Sequence, residues 1–147
     1  MADTTYLKGT VECYVRECLA KKFGRPFSSK FLPLARVQGE AHTHEFDAVS
    51  EDGKIVCSIK TASWKTGGGK RGSGKIQGAY AEIYFLDHVD AEQKYLVLTD
   101  AEFYENLKRN LQGRLAPGVN LMNCELPEDL KREVDKIRVT ARGELGF

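Results

Sequence analysis

Residues 45–61, E-F-D-A-V-S-E-D-G-K-I-V-C-S-I-K-T, limit more than any other stretch what this chain can fold into. Apolar runs end at Val49 and resume at Ile55. Asp52-Gly53 lies between them, and an Asp-Gly pair supplies the positive φ angles of a two-residue hairpin turn. Counting outward from that turn predicts that Glu51 faces Lys54, Val49 faces Val56, Asp47 faces Ser58 and Glu45 faces Lys60. Directly opposed residues share a face of the ladder, and successive residues alternate between faces. This register gathers Glu45, Asp47, Ser58 and Lys60 on one side and Phe46, Ala48, Cys57 and Ile59 on the other, apolar side. Two carboxylates, a hydroxyl and an amine on one face of an otherwise hydrophobic hairpin are costly to bury without a use. The candidate site is placed there. His42 and His44 alternate with Glu45 and Asp47, so the same register points them away from it.

The rest of the chain supplies a frame for that hairpin. Residues 4–22 carry Val11, Tyr14, Val15, Cys18 and Leu19 at helical spacing, one apolar stripe with Glu12 beside it. The plainer role for Glu12 is an i, i+4 pair with Lys8 or Arg16. Residues 31–39 read as a strand that Pro33 keeps at a sheet edge or a strand start. Residues 62–75 form a loop with five glycines and four basic residues around Trp64. A helix over 76–88, with Ser73 as its cap, provides the crossover that a following parallel strand requires. Residues 94–99 read as a buried strand. Asp100 then caps a helix over 101–111 that ends at Gly113. A short strand over 120–126 follows, and Pro127 opens a final helix running to about 137. This order predicts one α/β domain over 1–147, a mixed sheet flanked by helices on both faces.

Bulk properties narrow the function classes. The formal net charge is +1, so no global basic field exists and any nucleic-acid contact has to come from a local patch. The four cysteines form no C-x-x-C pair and no zinc-like spacing with the three histidines, which predicts reduced thiols in a cytoplasmic protein. The first residues lack the apolar core of a signal peptide, and no run approaches the ~18 apolar residues of a spanning helix. No membrane partner is expected.

Four features in order carry a family resemblance. The first helix holds Lys8-Gly9-Thr10-Val11-Glu12, the first hairpin strand holds Asp47, the second ends Cys57-Ser58-Ile59-Lys60-Thr61, and Gln77 opens a helix that bears Tyr80 and Tyr84. Over residues 8–84 the arrangement resembles the PD-(D/E)xK nuclease superfamily, closest in flavour to archaeal Holliday-junction resolvases and helicase-associated exonuclease domains. The resemblance implies a restriction-endonuclease-like fold and a nuclease that cleaves phosphodiester bonds in DNA with Mg²⁺ or Mn²⁺. It makes Asp47 the principal metal ligand, with Glu12 bound through water or placing a second ion. Lys60 would orient or help deprotonate the attacking water, and Gln77 would hold Lys60 or the nucleophile. These residue types suit the chemistry, since hard Mg²⁺ favours carboxylate oxygens and retains waters.

Ser58 departs from the pattern, because the family places an acid two residues before the lysine. Some members carry serine there and take the acid from a neighbouring helix. Glu82 on the next helix and Glu45 opposite Lys60 are the two candidates. If neither reaches the ion, a non-catalytic relative that binds DNA or serves assembly is the alternative. An exposed Asp47–Lys60 ion pair is the plainer role for those two residues, worth a fraction of a kcal/mol. The glycine-rich loop fails the Walker pattern at Ile76. As a basic flap beside a cleft it would bring Lys65, Lys70, Arg71 and Lys75 to phosphates and offer Trp64 for stacking. Packing at the sheet edge is the plainer role for Trp64. DNA is the expected partner, and a homodimer cutting both strands is an open assembly.

Overall fold

A computed structural model describes residues 4–34, 42–64 and 73–144, with side chains over 8–34, 42–64 and 74–136. Helix α1 (Thr4–Phe23) is followed by strands β1 (Phe27–Pro33), β2 (Thr43–Ser50) and β3 (Ile55–Lys60). Then come α2 (Ser73–His88), β4 (Gln93–Leu98), α3 (Ala101–Asn110), β5 (Val119–Asn123) and α4 (Glu128–Glu144). The strands form one sheet in the order β1-β2-β3-β4-β5. The first three pair antiparallel, while β4 runs parallel to β3 and β5 parallel to β4. Parallel neighbours need a crossover, and α2 and α3 supply the two.

Helices cover both faces, as the α/β reading expects. Ala79, Ile83 and Leu86 of α2 and Phe103 and Leu107 of α3 pack on Val56, Leu96 and Leu98. Val11, Val15 and Leu19 of α1 and Val134 of α4 pack on Ala48, Ile55, Cys57, Ile59 and Val97. The inward stripe of α1 is thus the one its spacing predicts. Each fully buried aliphatic side chain contributes roughly 1.5–3 kcal/mol, so these two layers hold the sheet between them. All four cysteines are free thiols, and burial pushes the Cys57 thiol up to about 12. Among the described residues no helix is long and apolar enough to cross a membrane.

Several boundaries differ from expectation. Strand β1 begins at Phe27 and ends at Pro33, so the proline closes an edge strand rather than opening it, and residues 35–39 lie outside the described segments. Helix α2 takes residues 73–75 from the expected loop, β5 stops at Asn123, and α4 continues to Glu144.

The β2–β3 hairpin keeps its expected pairing of Val49 with Val56 but closes it differently. The Ser50 carbonyl accepts the Gly53 N–H at 2.9 Å, and of the turn residues 51–54 only Gly53 has positive φ, at 74°. The Asp52 carboxylate accepts the Ser50 hydroxyl and the Lys54 N–H, at 2.7 and 3.0 Å. The loop therefore spans residues 51–54. A four-residue loop has the same centre as the expected two-residue one, so the register survives.

That register does not run the length of the hairpin. The β1–β2 ladder shifts between Ser28↔Val49 and Lys30↔Phe46, so Ser29 stands opposite both Asp47 and Ala48. This is a β-bulge, which inserts one residue and reverses the facing of everything before it. Phe46 and Val49 both pack on the α2 side, while Ala48 packs on the α1 side. The recorded β2–β3 pairs end at Ala48↔Cys57. The expected Asp47–Ser58 and Glu45–Lys60 pairs do not form.

Asp100 caps α3 as predicted and also holds the chain after β3. Its Oδ2 accepts the Phe103 N–H at 2.9 Å, capping α3, and the Trp64 N–H at 3.0 Å, anchoring the chain after β3. Asp100→Ala should lower stability by about 1–2 kcal/mol in urea denaturation, with Asp100→Asn recovering most of it. An unchanged midpoint in the alanine variant would contradict this role.

Candidate functional site

The bulge sets the geometry of the site, because it takes Asp47 out of the regular ladder. In place of a backbone carbonyl, the Asp47 carboxylate accepts the Ile59 N–H, through Oδ2 at 2.8 Å. The Asp47 carbonyl has also left the ladder and accepts Arg16 Nε–H at 2.8 Å. Both polar groups exposed by the bulge are therefore satisfied, one by the neighbouring strand and one by α1.

On the α1 side, Glu12 is only 6% exposed. Its Oε1 takes Arg16 Nη2 at 3.3 Å, and its Oε2 faces Lys8 Nζ at 3.8 Å. The plainer i, i+4 pairs exist, yet Oε2 is buried with no hydrogen-bond donor among the described residues. A buried acceptor left in that state costs about 1–3 kcal/mol, more when charged. An exposed lysine at that distance offsets little of it.

On the α2 side, Glu82 Oε2 accepts the Ser58 hydroxyl at 3.2 Å and lies 3.3 Å from His44 Nε2. Lys75, Gly78, Glu82 and Phe85 form one stripe of α2. Lys60 Nζ lies along it, 3.6 Å from where a Cβ on Gly78 would stand. The carboxylates feel one another around the β2–β3 pair. Burial raises the Glu12 pKa above its ordinary value, and the charges of Asp47 and Glu45 raise it further, against Lys8 and Arg16. Burial likewise raises that of Asp47. Glu82 adds to the rise, while the Ile59 N–H, Lys8 and Arg16 oppose it.

Glu12 and Asp47 share one electrostatic field, and Ser58 joins Glu82, one of the two acids considered for the missing position. Glu45 is a correction. It sits opposite exposed Phe31 of β1 and, one residue before Phe46, faces α1 rather than Lys60. His44 is a second correction. The bulge turns it onto the α2 side, into contact with Glu82.

Among the described residues Asp47 and Lys60 form no ion pair, and Lys8 and Arg16 are the cations acting on Asp47. Gln77 is exposed, one position off the stripe, and its neighbour Gly78 is the α2 residue beside Lys60. Trp64 is half-buried against Phe103, ring centroids 5.8 Å apart. Lys75 donates to the carbonyls of Ser63 and Trp64, tying the start of α2 to the segment that follows β3. Lys65, Lys70 and Arg71 lie outside the described residues. The residues that sequence reasoning missed are His44 and, as the staple between α1 and the bulge, Arg16.

The donor chemistry suits a hard divalent cation. Glu12 Oε2 has no hydrogen-bond donor among the described residues, and burial first, then neighbouring carboxylates, raise the pKa values of Glu12 and Asp47, a cost that a bound cation would relieve. Among the described residues no three His, Cys, Asp or Glu side chains converge closely enough to form a protein-only cage. Mg²⁺ does not require one, since one or two carboxylates completed by waters suffice. Asp47 with Glu12 or Glu82 fits that description. No protein-family model, curated protein or solved structure matches the chain.

The raised Glu12 pKa carries a sign that can be measured. A carboxyl whose folded pKa exceeds its unfolded value destabilises the fold as pH rises through the folded value, and the penalty vanishes below the unfolded one. Glu12→Gln should therefore melt higher than the native chain at pH 7.5. The gap should close as the pH falls below the ordinary glutamate value of 4.5. A variant that melts lower at pH 7.5 would show the Arg16 and Lys8 contacts outweighing burial.

Proposed function

We propose that the chain is a divalent-metal-dependent nuclease of the PD-(D/E)xK kind, with a restriction-endonuclease-like fold, cleaving phosphodiester bonds in DNA. One observation carries the reading. Ser58 stands where the pattern has an acid, and its hydroxyl meets Glu82 from α2 on the strand whose next N–H, that of Ile59, meets Asp47. An acid delivered from the neighbouring helix is what the resemblance implies for a chain with serine at this position. The sequence of one helix, three antiparallel strands, a helix and a parallel strand also supports it.

Asp47, with Glu12 or Glu82, would hold Mg²⁺ or Mn²⁺. Such an ion, when bound, brings the pKa of a coordinated water towards neutrality and offsets charge developing on the phosphate. The protein groups divide the remaining work. Lys60 leaves the sheet on the same face as Ser58, so its amine can orient the attacking water or meet a phosphate oxygen. Arg16 fixes both the Asp47 carbonyl and Glu12, which keeps α1 in register with the bulge. Lys65, Lys70 and Arg71 would supply phosphate contacts that carry no sequence information. Ser58 in place of the pattern's acid supports a second reading, a non-catalytic relative that binds DNA or serves assembly.

Cleavage of plasmid and branched DNA in Mg²⁺ or Mn²⁺ separates the two. The nuclease reading expects cleavage by the native chain, reduced by at least about 10²-fold in Asp47→Ala and in Lys60→Ala. DNA retained without cleavage would favour the binding module. Neither binding nor cleavage would leave both without support.

A further inference from the structure

We propose that His44 is a positioning residue that holds Glu82 in the orientation needed to bind the divalent ion; this rests on reading Glu82 as the helix-borne acid. Two donors meet one oxygen of that carboxylate, the Ser58 hydroxyl at 3.2 Å and His44 Nε2 at 3.3 Å, both on Oε2. A glutamate on a helix surface otherwise sweeps through several rotamers, and ordering it costs entropy when a ligand binds. Pinning Oε2 from two directions removes that freedom beforehand and leaves Oε1 without a donor among the described residues. Carboxylates that bind metals are generally held in this manner, and loss of the holding partner weakens metal affinity.

The imidazole is itself fixed. It stacks on Phe85 of α2 with centroids 3.9 Å apart and planes at 15°, and meets the edge of Phe46 at 4.8 Å. The two rings leave the imidazole little freedom to turn away from Glu82. His44 reaches this place because the bulge at Asp47 and Ala48 reverses the facing of the residues before it. The distortion that frees Asp47 from the ladder thus also delivers the group that steadies Glu82.

His44 both stacks and hydrogen-bonds, and two variants split those roles. His44→Phe keeps a ring on Phe85 and removes the bond to Glu82, while His44→Gln keeps a polar group and removes the stack. Positioning predicts that Mn²⁺ affinity by calorimetry falls about tenfold or more in His44→Phe, while His44→Gln stays within about threefold of the native chain. The Mg²⁺ concentration that half-saturates cleavage should move in parallel. In a Glu82→Gln background, His44→Phe should weaken Mn²⁺ binding no further.

The reverse order, with the glutamine variant losing affinity and the phenylalanine variant keeping it, would assign His44 to packing and overturn the inference. Equal losses in both variants, or an undiminished loss in the Glu82→Gln background, would overturn it too. Native protein that binds Mn²⁺ indifferently to His44→Phe sinks this inference alone. Native protein that neither binds Mn²⁺ nor cleaves DNA sinks the nuclease reading and this inference with it.

Discussion

The hydrogen bond from the Ile59 N–H to the Asp47 carboxylate, at 2.8 Å, is the contact on which the rest of the site depends. In a regular antiparallel pair that N–H would meet a backbone carbonyl, and Asp47 would be one more alternating strand residue. By taking the donor with its side chain, Asp47 ends the β2–β3 pairing at Cys57, three residues short of the Lys60 end of β3. Its own carbonyl then turns to Arg16. One local rearrangement ties α1, β2 and β3 together around a half-buried acid. Bulges of this kind re-aim side chains, and they gather where a sheet carries a function.

The electrostatics follow from that arrangement. Burial pushes Glu12 and Asp47 above their ordinary pKa values, and neighbouring acids add to it, Asp47 acting on Glu12 and Glu82 acting on Asp47. A fold selected for stability alone would place an apolar residue at Glu12, which lies beside the stripe of Val11 and Val15 at 6% exposure. Keeping a carboxylate there with one oxygen lacking a donor among the described residues is a local loss, which the proposed metal site would account for. The cations Lys8 and Arg16 compensate it only in part. On the other face, Ser58 and His44 hold Glu82 by hydrogen bonds, so the two halves of the site are held by different means.

Much of the frame is legible in the residue pattern, because it rests on local rules. The buried face of α1 is the 3.6-residue stripe of Val11, Val15 and Leu19, and Asp100 caps α3 as an aspartate before a helix should. The pairing of Val49 with Val56 follows from the position of Asp52-Gly53, even though the loop that closes it has four residues. What the pattern does not disclose is the bulge. It is held by a side chain reaching a backbone group twelve residues away and by an arginine thirty-one residues away. No short-range signal encodes either contact, and a one-residue slip reverses every facing before it. For that reason the residue pattern alone places Glu45 and His44 on the wrong sides. Gln77 and Gly78 differ by only about 100° of helix rotation, a phase that periodicity alone does not fix across a loop. Trp64 and Lys75 lie in a stretch whose composition reads as a solvated flap, yet Asp100 and two carbonyls capture them.

The central claim is that Asp47, freed from the ladder, shares a divalent ion with an acid brought by a helix. Anomalous diffraction from crystals soaked in Mn²⁺ tests it most directly. The account predicts a peak within coordination distance of an Asp47 oxygen and of a carboxylate from Glu12 or Glu82, with waters completing the shell. Crystals that bind Mn²⁺ only elsewhere, or that leave Asp47 bonded to Ile59 with no ion beside it at saturating metal, would contradict it.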